Sequence, residues 1–313
     1  MHKWPKIHDA LQHVDILLFD QFSNHCLANF VEPLRATNGF VRGQPYRWRF
    51  VTVDGAPVQS SSGLQIAPHG TLDNAEGAAL ILMPSYGIRD LDRPDIIRAV
   101  GRAAGRAKVL GGFDTGSWLL GRAGLLDGYA ATIHWDVLDG FAEAFPDVDV
   151  LRERYVLDRD RITCSGAMAA FDVVAHLIAQ AHGPSVAMEM AQLFMSRDAA
   201  PGVAATPAGR TVRRAVAVMQ DNVETPLTIP EIAQRAGCTQ KMLEQRMRAA
   251  MGATPAAVYR RQRLNVALRL VRASDLPVAE IAGRCGYDNA SAMTRAFRAA
   301  FGVSPRKARQ DGV

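Results

Sequence analysis

Short apolar runs alternate with longer amphipathic stretches along the first two hundred residues of the chain. The apolar runs at 14–20, 79–87 and 108–114 predict buried strands, and 46–55 predicts a further strand that ends at a turn. The segment 150–164 predicts a short hairpin, and the stretches between these strands have helical periodicity. Strands that alternate with helices indicate an α/β fold with a mostly parallel sheet covered on both faces.

The pattern changes after a segment of small residues at 198–210, which holds two prolines and two glycines and predicts a linker. Beyond it the pattern is all helical, and it repeats. The pattern L-x-x-x-E-I-A-x-R-x-G at 227–237 recurs at 276–286, an offset of 49 residues. Each copy predicts a helix, a turn with glycine and a second helix, which together form a helix-turn-helix. Thr228 and Glu231 have the spacing of a capping box.

The net charge of the chain changes sign at the same linker segment. The chain carries 36 Lys and Arg against 31 Asp and Glu, a net charge of +5. Residues 1–209 carry a net of −5, whereas residues 210–313 carry a net of +10. A basic excess confined to the helical part indicates a module that binds a polyanion.

The rest of the composition excludes several classes of protein. The four cysteines lie far apart, with no CxxC pair and no histidine cluster at ligand spacing, so we expect no disulfide framework, no metal and no cofactor. We also expect no signal peptide, and no membrane span, because no apolar run approaches 18 residues. The pattern is typical of a protein of the reducing cytoplasm.

The second helix of each repeat combines a narrow apolar seam with a polar outer face. The seams are Leu243, Met247 and Met251 in the first copy and Met293, Phe297 and Phe301 in the second. Amide and guanidinium groups match the base edges of the DNA major groove, and Arg also binds phosphates. The alternative is a solvated face of a helical interaction domain. The candidate DNA-contacting residues are Gln240, Lys241, Glu244, Gln245, Arg248, Asn289, Ser291, Arg295 and Arg298.

Residues 211–308 resemble the double helix-turn-helix domain of the AraC/XylS family of bacterial transcription regulators. The second copy carries that family's ending, with Gly-Tyr at 286–287, Phe-Arg at 297–298, Phe-Gly at 301–302 and Ser-Pro at 304–305. The resemblance implies an all-α domain that binds double-stranded promoter DNA. Activation of transcription and contact with RNA polymerase are further expectations.

The junction GGFDTGSW at 111–118 is the chemically informative segment of the first part. A sharp strand-to-helix turn exposes a side chain at the carboxyl edge of a sheet, where hydrolases hold a Ser or Cys nucleophile. Here the position holds Asp114, and His134 is its candidate partner. A simpler alternative is that Asp114 caps the following helix.

Residues 14–195 resemble the DJ-1/PfpI branch of the class I glutamine amidotransferase fold, through the segments 114–135 and 161–178. The resemblance implies a flavodoxin-like α/β domain. The reactive cysteine of that superfamily falls on Asp114, its histidine on His134 and its assisting glutamate near Cys26. The superfamily's thiol chemistry is therefore absent, and we expect no catalytic residue. Fusion to an AraC domain resembles the GlxA-type regulators, and the DTGS junction resembles the subgroup that senses glycine betaine, carnitine or arginine.

The sequence thus predicts a ligand-responsive transcription regulator, with an effector-sensing and dimerisation domain at 1–197 and a DNA-binding domain at 211–313. We expect a homodimer and an ionised Asp114 that binds a cationic effector, with aromatic rings beside the cation. Two alternatives stay open: an enzyme of the DJ-1 class, such as a hydrolase or glyoxalase, with an attached DNA-binding domain, and a ligand-independent architectural DNA binder. The candidate effector-binding residues are Asp114, Thr115, Trp118, His134, Trp135 and Tyr86.

Overall fold

The computed structural model describes residues 7–194 and 207–310. Residue contacts divide them into two compact units. The sheet unit holds residues 7–38 and 44–181, and the helical unit holds 39–43, 182–194 and 207–310.

The sheet unit contains the strands of the described chain and six α-helices. Its strands are β1 (His13–Leu18), β2 (Arg47–Thr52), β3 (Val58–Gln59), β4 (Gln65–Ile66), β5 (Gly70–Thr71), β6 (Ala79–Met83), β7 (Val109–Phe113), β8 (Ala130–Ala131), β9 (Asp149–Val150), β10 (Tyr155–Asp158) and β11 (Arg161–Cys164). Its helices are α1 (Ile7–Ala10), α2 (Asn24–Asn38), α3 (Pro94–Ala104), α4 (Gly116–Arg122), α5 (Leu138–Ala144) and α6 (Ala167–His182).

Seven strands form one sheet in the order β10-β11-β7-β6-β1-β2-β5. The neighbours are parallel apart from the β10–β11 hairpin, which confirms the predicted mostly parallel sheet. Every residue of β6 and β7 is buried, as expected for central strands that helices cover on both sides. Apolar residues of α3, α4 and α5 pack in one core cluster with residues of the central strands, including Leu17, Leu80 and Leu110. The predicted flavodoxin-like α/β fold is confirmed.

Within the described ranges, the helical unit consists of eight helices. They are α7 (Pro184–Leu193), α8 (Pro207–Asp221), α9 (Ile229–Arg235), α10 (Gln240–Met251), α11 (Pro255–Ala273), α12 (Val278–Arg284), α13 (Ala290–Phe301) and α14 (Pro305–Gln310). The predicted repeat is present as α9–α10 and α12–α13, and α11 joins the two copies. Each copy buries its seam in a core cluster of its own. Because each copy buries its seam in its own small core, both copies carry the same apolar pattern.

The ends of these helices follow the chemistry predicted from the sequence. Thr228 accepts a hydrogen bond from the backbone N–H of Glu231, whose side chain in turn accepts from Thr228, so the predicted capping box is formed. Gly252 and Gly302 end α10 and α13 in the left-handed conformation, with φ of 64° and 76°. The N–H of each glycine donates to the carbonyl oxygen of an arginine one turn earlier, which pairs one of the free carbonyl groups at the helix end.

The division between the units differs from the predicted boundary at 197. Met188 of α7 packs in the same core cluster as Val212 of α8, so the contacts divide the chain between residues 181 and 182. Of the predicted linker, residues 207–210 are helical because α8 begins at Pro207, and residues 198–206 lie outside the described residues. None of the helices in the described ranges combines the length and apolar character needed to cross a membrane.

Candidate functional site

The strand-to-helix junction after β7 is tightly built. Asp114 directly follows β7 with a φ of +59°, and α4 begins at Gly116. A Cβ on Gly116 would lie 2.3 Å from the Leu82 carbonyl oxygen, and a Cβ on Gly112 would lie 2.6 Å from the Ser117 nitrogen. Glycine at both positions therefore lets α4 approach the strands closely, and the turn between them holds Asp114 at the carboxyl edge of the sheet.

Asp114 is buried, with 7% of its surface exposed. The Ser85 hydroxyl donates a hydrogen bond to Asp114 Oδ2 at 3.0 Å, and Ser85 follows β6, the neighbouring strand. The N-cap of α4 is Thr115, and no side chain makes a capping hydrogen bond there. The alternative in which Asp114 caps α4 is therefore not supported by the geometry.

The surroundings of Asp114 act on its pKa in both directions. Burial raises the pKa of Asp114, while the charge of His134 and the hydrogen bond from Ser85 lower it, and the net direction is upward. In the described part of the chain, no Lys or Arg charge acts on this carboxyl group. The unliganded site thus disfavours the carboxylate, and a cation placed beside it would favour the carboxylate.

Two thiols lie near enough to interact electrostatically with Asp114. Burial raises the pKa of Cys26 well above its ordinary value, and the Cys164 and Asp114 charges raise it further. Burial likewise raises the pKa of Cys164 to about 12. Both thiols are therefore protonated near neutral pH and are poor nucleophiles.

Several of the side chains expected at the effector site do lie at this edge of the sheet. The backbone N–H of His134 donates to the Asp114 carbonyl at 2.9 Å, so β7 and the segment after β8 meet here. Trp135 is 70% exposed and its ring centroid lies 5.5 Å from that of His134. Tyr86, three residues after β6, is 65% exposed. Met168, at the start of α6, is also exposed at the carboxyl edge, although no sequence signal singled it out.

Trp118 and Thr115 are not placed as expected. Trp118 is 2% exposed, its ring lies 5.1 Å from that of Phe145, and the Arg89 guanidinium covers its face at 3.8 Å. It belongs to the core under α4 and has no free face for an effector. The Thr115 hydroxyl is buried and donates to the Ser85 carbonyl at 2.9 Å, so it fixes Ser85 instead of facing a ligand. Closeness in sequence to the junction misled the prediction, because α4 turns these side chains inward.

The outer faces of α10 and α13 carry most of the predicted DNA-contacting side chains. Three of the set are engaged locally: Gln240 Nε2 donates to the half-buried Glu244 at 2.9 Å, and Asn289 caps α13 by accepting from the Ala292 N–H. Met242, which the sequence pattern assigned to neither face, is exposed on α10. The remaining members of the set, all exposed, are Lys241, Gln245, Arg248, Ser291, Arg295 and Arg298.

Comparisons with known proteins agree with both units. Residues 12–180 match the DJ-1/PfpI family, and residues 232–311 match the family described as helix-turn-helix domain. The chain is 35% identical to the HTH-type transcriptional regulator CdhR of Pseudomonas aeruginosa, over 94% of this chain and 90% of that protein. It is 30% identical to the HTH-type transcriptional regulator GlxA of Rhizobium meliloti, over 96% of both chains. The chain belongs to the AraC-type regulators with a DJ-1/PfpI domain.

A solved structure is similar to this chain and belongs to the same ThiJ/PfpI family as the match to the sheet unit. The crystal structure of a ThiJ/PfpI family protein from Pseudomonas syringae matches 75% of this chain and 92% of its own, with a TM-score of 0.51 and 26% identity. This AraC-type regulator is therefore a DNA-binding transcription regulator, as are the two relatives that align with it over nearly their whole length. Within the described ranges, no group of three metal-ligating side chains could hold a metal ion.

Proposed function

We propose that this regulator senses a small nitrogen-containing cation or zwitterion at Asp114 and changes transcription from its promoter DNA in response. A betaine, carnitine or an amino acid has this chemistry. The observation that carries the proposal is a buried carboxyl group at the sheet edge with no Lys or Arg charge acting on it in the described residues. The protein acts in the cytoplasm, on double-stranded DNA, and activates transcription through RNA polymerase.

The side chains around Asp114 favour a cation with a diffuse charge. Tyr86 and Trp135 offer exposed aromatic rings, and Met168 offers an exposed thioether, at the same edge of the sheet. Contacts between a ring face and a quaternary ammonium or guanidinium group contribute about 0.5–2 kcal/mol each. The effector-binding set that we propose is Asp114, His134, Trp135, Tyr86 and Met168, without Trp118 and Thr115.

A thermal-shift titration of the full chain with glycine betaine, L-carnitine and L-arginine tests this function. A ligand that binds the native state alone raises the melting temperature, so one of these compounds is expected to stabilise the wild type. Asp114→Asn is expected to abolish the shift that glycine betaine or L-carnitine produces. The matched control is Asp90→Asn, which removes an exposed carboxylate of the sheet unit and should respond like the wild type. An unchanged response of Asp114→Asn would contradict the proposal.

We also propose that the chain is a homodimer formed through residues 1–197. Two linked copies of a DNA reader bind a double site more tightly than one copy, because the second contact is intramolecular. Light scattering on the full chain at tens of micromolar is expected to give twice the 34.0 kDa of one chain. The mass of a single chain under these conditions would contradict the proposal, and a dimer that persists after removal of the amino-terminal part would place the interface elsewhere.

A further inference from the structure

A cavity lies inside the helical unit, bordered by α7, α8 and α11. Its volume is about 440 Å³, which is within the usual range for small-molecule sites. Leu193 and Val266 contribute apolar surface. The rest of the wall is largely polar, and it includes the side chains of Glu189, Gln262, Asn265 and Arg269.

The polar wall contains side-chain atoms that are shielded from solvent and have no hydrogen-bond partner among the described residues. They are both carboxylate oxygens of Glu189, both amide atoms of Gln262, and Oδ1 of Asn265. Arg261 Nε approaches Glu189 Oε2 only to 3.6 Å, which is an ion pair longer than a hydrogen bond. A buried polar group without a partner costs about 1–3 kcal/mol, so native proteins rarely leave several together.

These unpaired atoms are mostly acceptors. Glu189 supplies two oxygens, and Gln262 and Asn265 supply one each, whereas the amide nitrogen of Gln262 is the donor among the three residues. A primary ammonium group has three N–H donors and a positive charge, so it can satisfy a carboxylate and two amide oxygens together. A quaternary ammonium has no N–H and cannot do so.

The charged side chains around the cavity add a second requirement that a ligand must meet. Burial raises the pKa of Glu189 to about 7, although the guanidinium groups of Arg261 and Arg269 both act to lower it. Because Arg261 is the guanidinium that pairs with Glu189, the guanidinium of Arg269 can bind an anionic group of a ligand. Arg269 borders the cavity, and a guanidinium matches a carboxylate in a two-pronged hydrogen bond.

We propose that this cavity is a second ligand site, which binds a free α-amino acid. The ligand's ammonium group contacts Glu189, Gln262 and Asn265, and its carboxylate contacts Arg269. The site is separate from Asp114 and has the opposite preference, because it needs N–H donors that a betaine lacks. Gln262, Asn265 and Arg269 all lie on α11, the helix that joins the two DNA-reading repeats, so occupancy acts on the element that connects them.

Glycine and glycine betaine form a matched pair of probes, since they share a carboxylate and differ in the N–H groups. Titration calorimetry on the full chain with glycine, alanine, glutamate and arginine is expected to show binding of at least one primary amino acid at this site, and no binding of glycine betaine here. Glu189→Gln keeps the side-chain size and removes the charge, and it is expected to weaken amino-acid binding about tenfold or more. Asn265→Ala is the second variant, measured in the same way if Glu189→Gln folds poorly.

Asp114→Asn separates the two sites. Amino-acid binding that persists in Asp114→Asn and fails in Glu189→Gln supports the second site, even if no compound binds at Asp114. Three outcomes overturn the proposal: no amino acid binds the wild type, glycine betaine binds this site as well as glycine, or Glu189→Gln and Asn265→Ala both bind like the wild type. If no amino acid binds the wild type, the cavity holds only water.

Discussion

At position 114 a carboxyl group occupies a turn whose backbone φ is +59°, a conformation that is uncommon for residues other than glycine. Ser85 donates a hydrogen bond to the Oδ2 of Asp114, and Thr115 donates one to the Ser85 carbonyl. The side chain is therefore fixed in place before any ligand arrives. Pre-organisation of this kind lowers the entropic cost of binding, and the unfavourable burial of the charge is what a cationic ligand relieves.

The raised pKa of Asp114 predicts a pH-dependent stability. An acid whose folded-state pKa lies above its unfolded value holds its proton more tightly in the folded state, so stability falls as the pH rises from the unfolded-state pKa through the folded-state pKa. Asp114→Asn removes this loss, and the unliganded variant is expected to melt above the wild type at neutral pH. Each kcal/mol corresponds to a shift of about 2–4 °C for a domain of this size. Melting curves from pH 4 to 8 are the measurement.

Asp90→Asn is the control for this pH series, since Asp90 is exposed and its replacement should leave the wild-type slope unchanged. Parallel curves for the wild type and Asp114→Asn would show that Asp114 does not titrate as proposed.

Arg248 and Arg295 are exposed on the outer faces of α10 and α13. If either side chain contacts a guanine, replacement by Ala is expected to cost about 1–3 kcal/mol and to relax the preference at one base pair. If it contacts phosphate alone, the loss is uniform across sequences and the salt dependence becomes shallower. Binding to a library of DNA sequences at two salt concentrations distinguishes these results. Arg102→Ala, an exposed change in the sheet unit, is the control, and wild-type binding by both variants would contradict the assignment.

At the scale of helices and turns, two glycines with similar backbone angles allow a matched comparison. Gly252 has a φ of +64° and no atom within 4 Å of the place a Cβ would take, whereas Gly286 has a φ of +68° and a Cβ there would lie 2.3 Å from Pro226 Cγ. Gly252→Ala is expected to cost about 1–2 kcal/mol, the cost of the left-handed conformation. Gly286→Ala adds a steric clash and is expected to cost more. Urea denaturation of the full chain measures both, and equal losses would contradict this interpretation.

The long strands and helices could be predicted from the sequence because each follows one clear pattern of apolar residues. The central strands are continuous apolar runs, and the second helices of both helix-turn-helix copies keep their seams and caps at matched positions. The place of α7 could not be predicted, because its apolar residues suit either unit, and contacts such as the packing of Met188 assign it to the helical one. The direction of the side chains at the proposed effector site could not be predicted from the sequence either. Trp118 was expected at the site but turns into the core, and Met168, for which the sequence predicted no role, faces out.

At the scale of the whole molecule, the chain passes from one unit to the other within a very short connection. α6 ends at His182, Gly183 follows with a φ of +87°, and α7 begins at Pro184. α7 then lines the cavity through Glu189 and enters the core of the first DNA-reading repeat through Met188. The helix that follows the sheet unit along the chain is thus part of the DNA-reading unit, so a ligand that contacts Glu189 would contact that unit directly.

A regulator of this design must obey thermodynamic reciprocity between effector and DNA. If the effector at Asp114 strengthens binding to operator DNA by some factor, the operator must strengthen effector binding by the same factor, which is about 5–150 in typical cases. The measurement is a pair of titrations on the full chain: DNA with and without saturating effector, and effector with and without a DNA fragment selected for tight binding. Asp114→Asn is expected to lose both enhancements together and to keep its effector-free DNA affinity, because its helical unit is unchanged. If the effector does not change the DNA affinity, the protein is a ligand-independent DNA binder. If Asp114→Asn loses DNA binding in the absence of effector, Asp114 supports the fold and not the response to the effector.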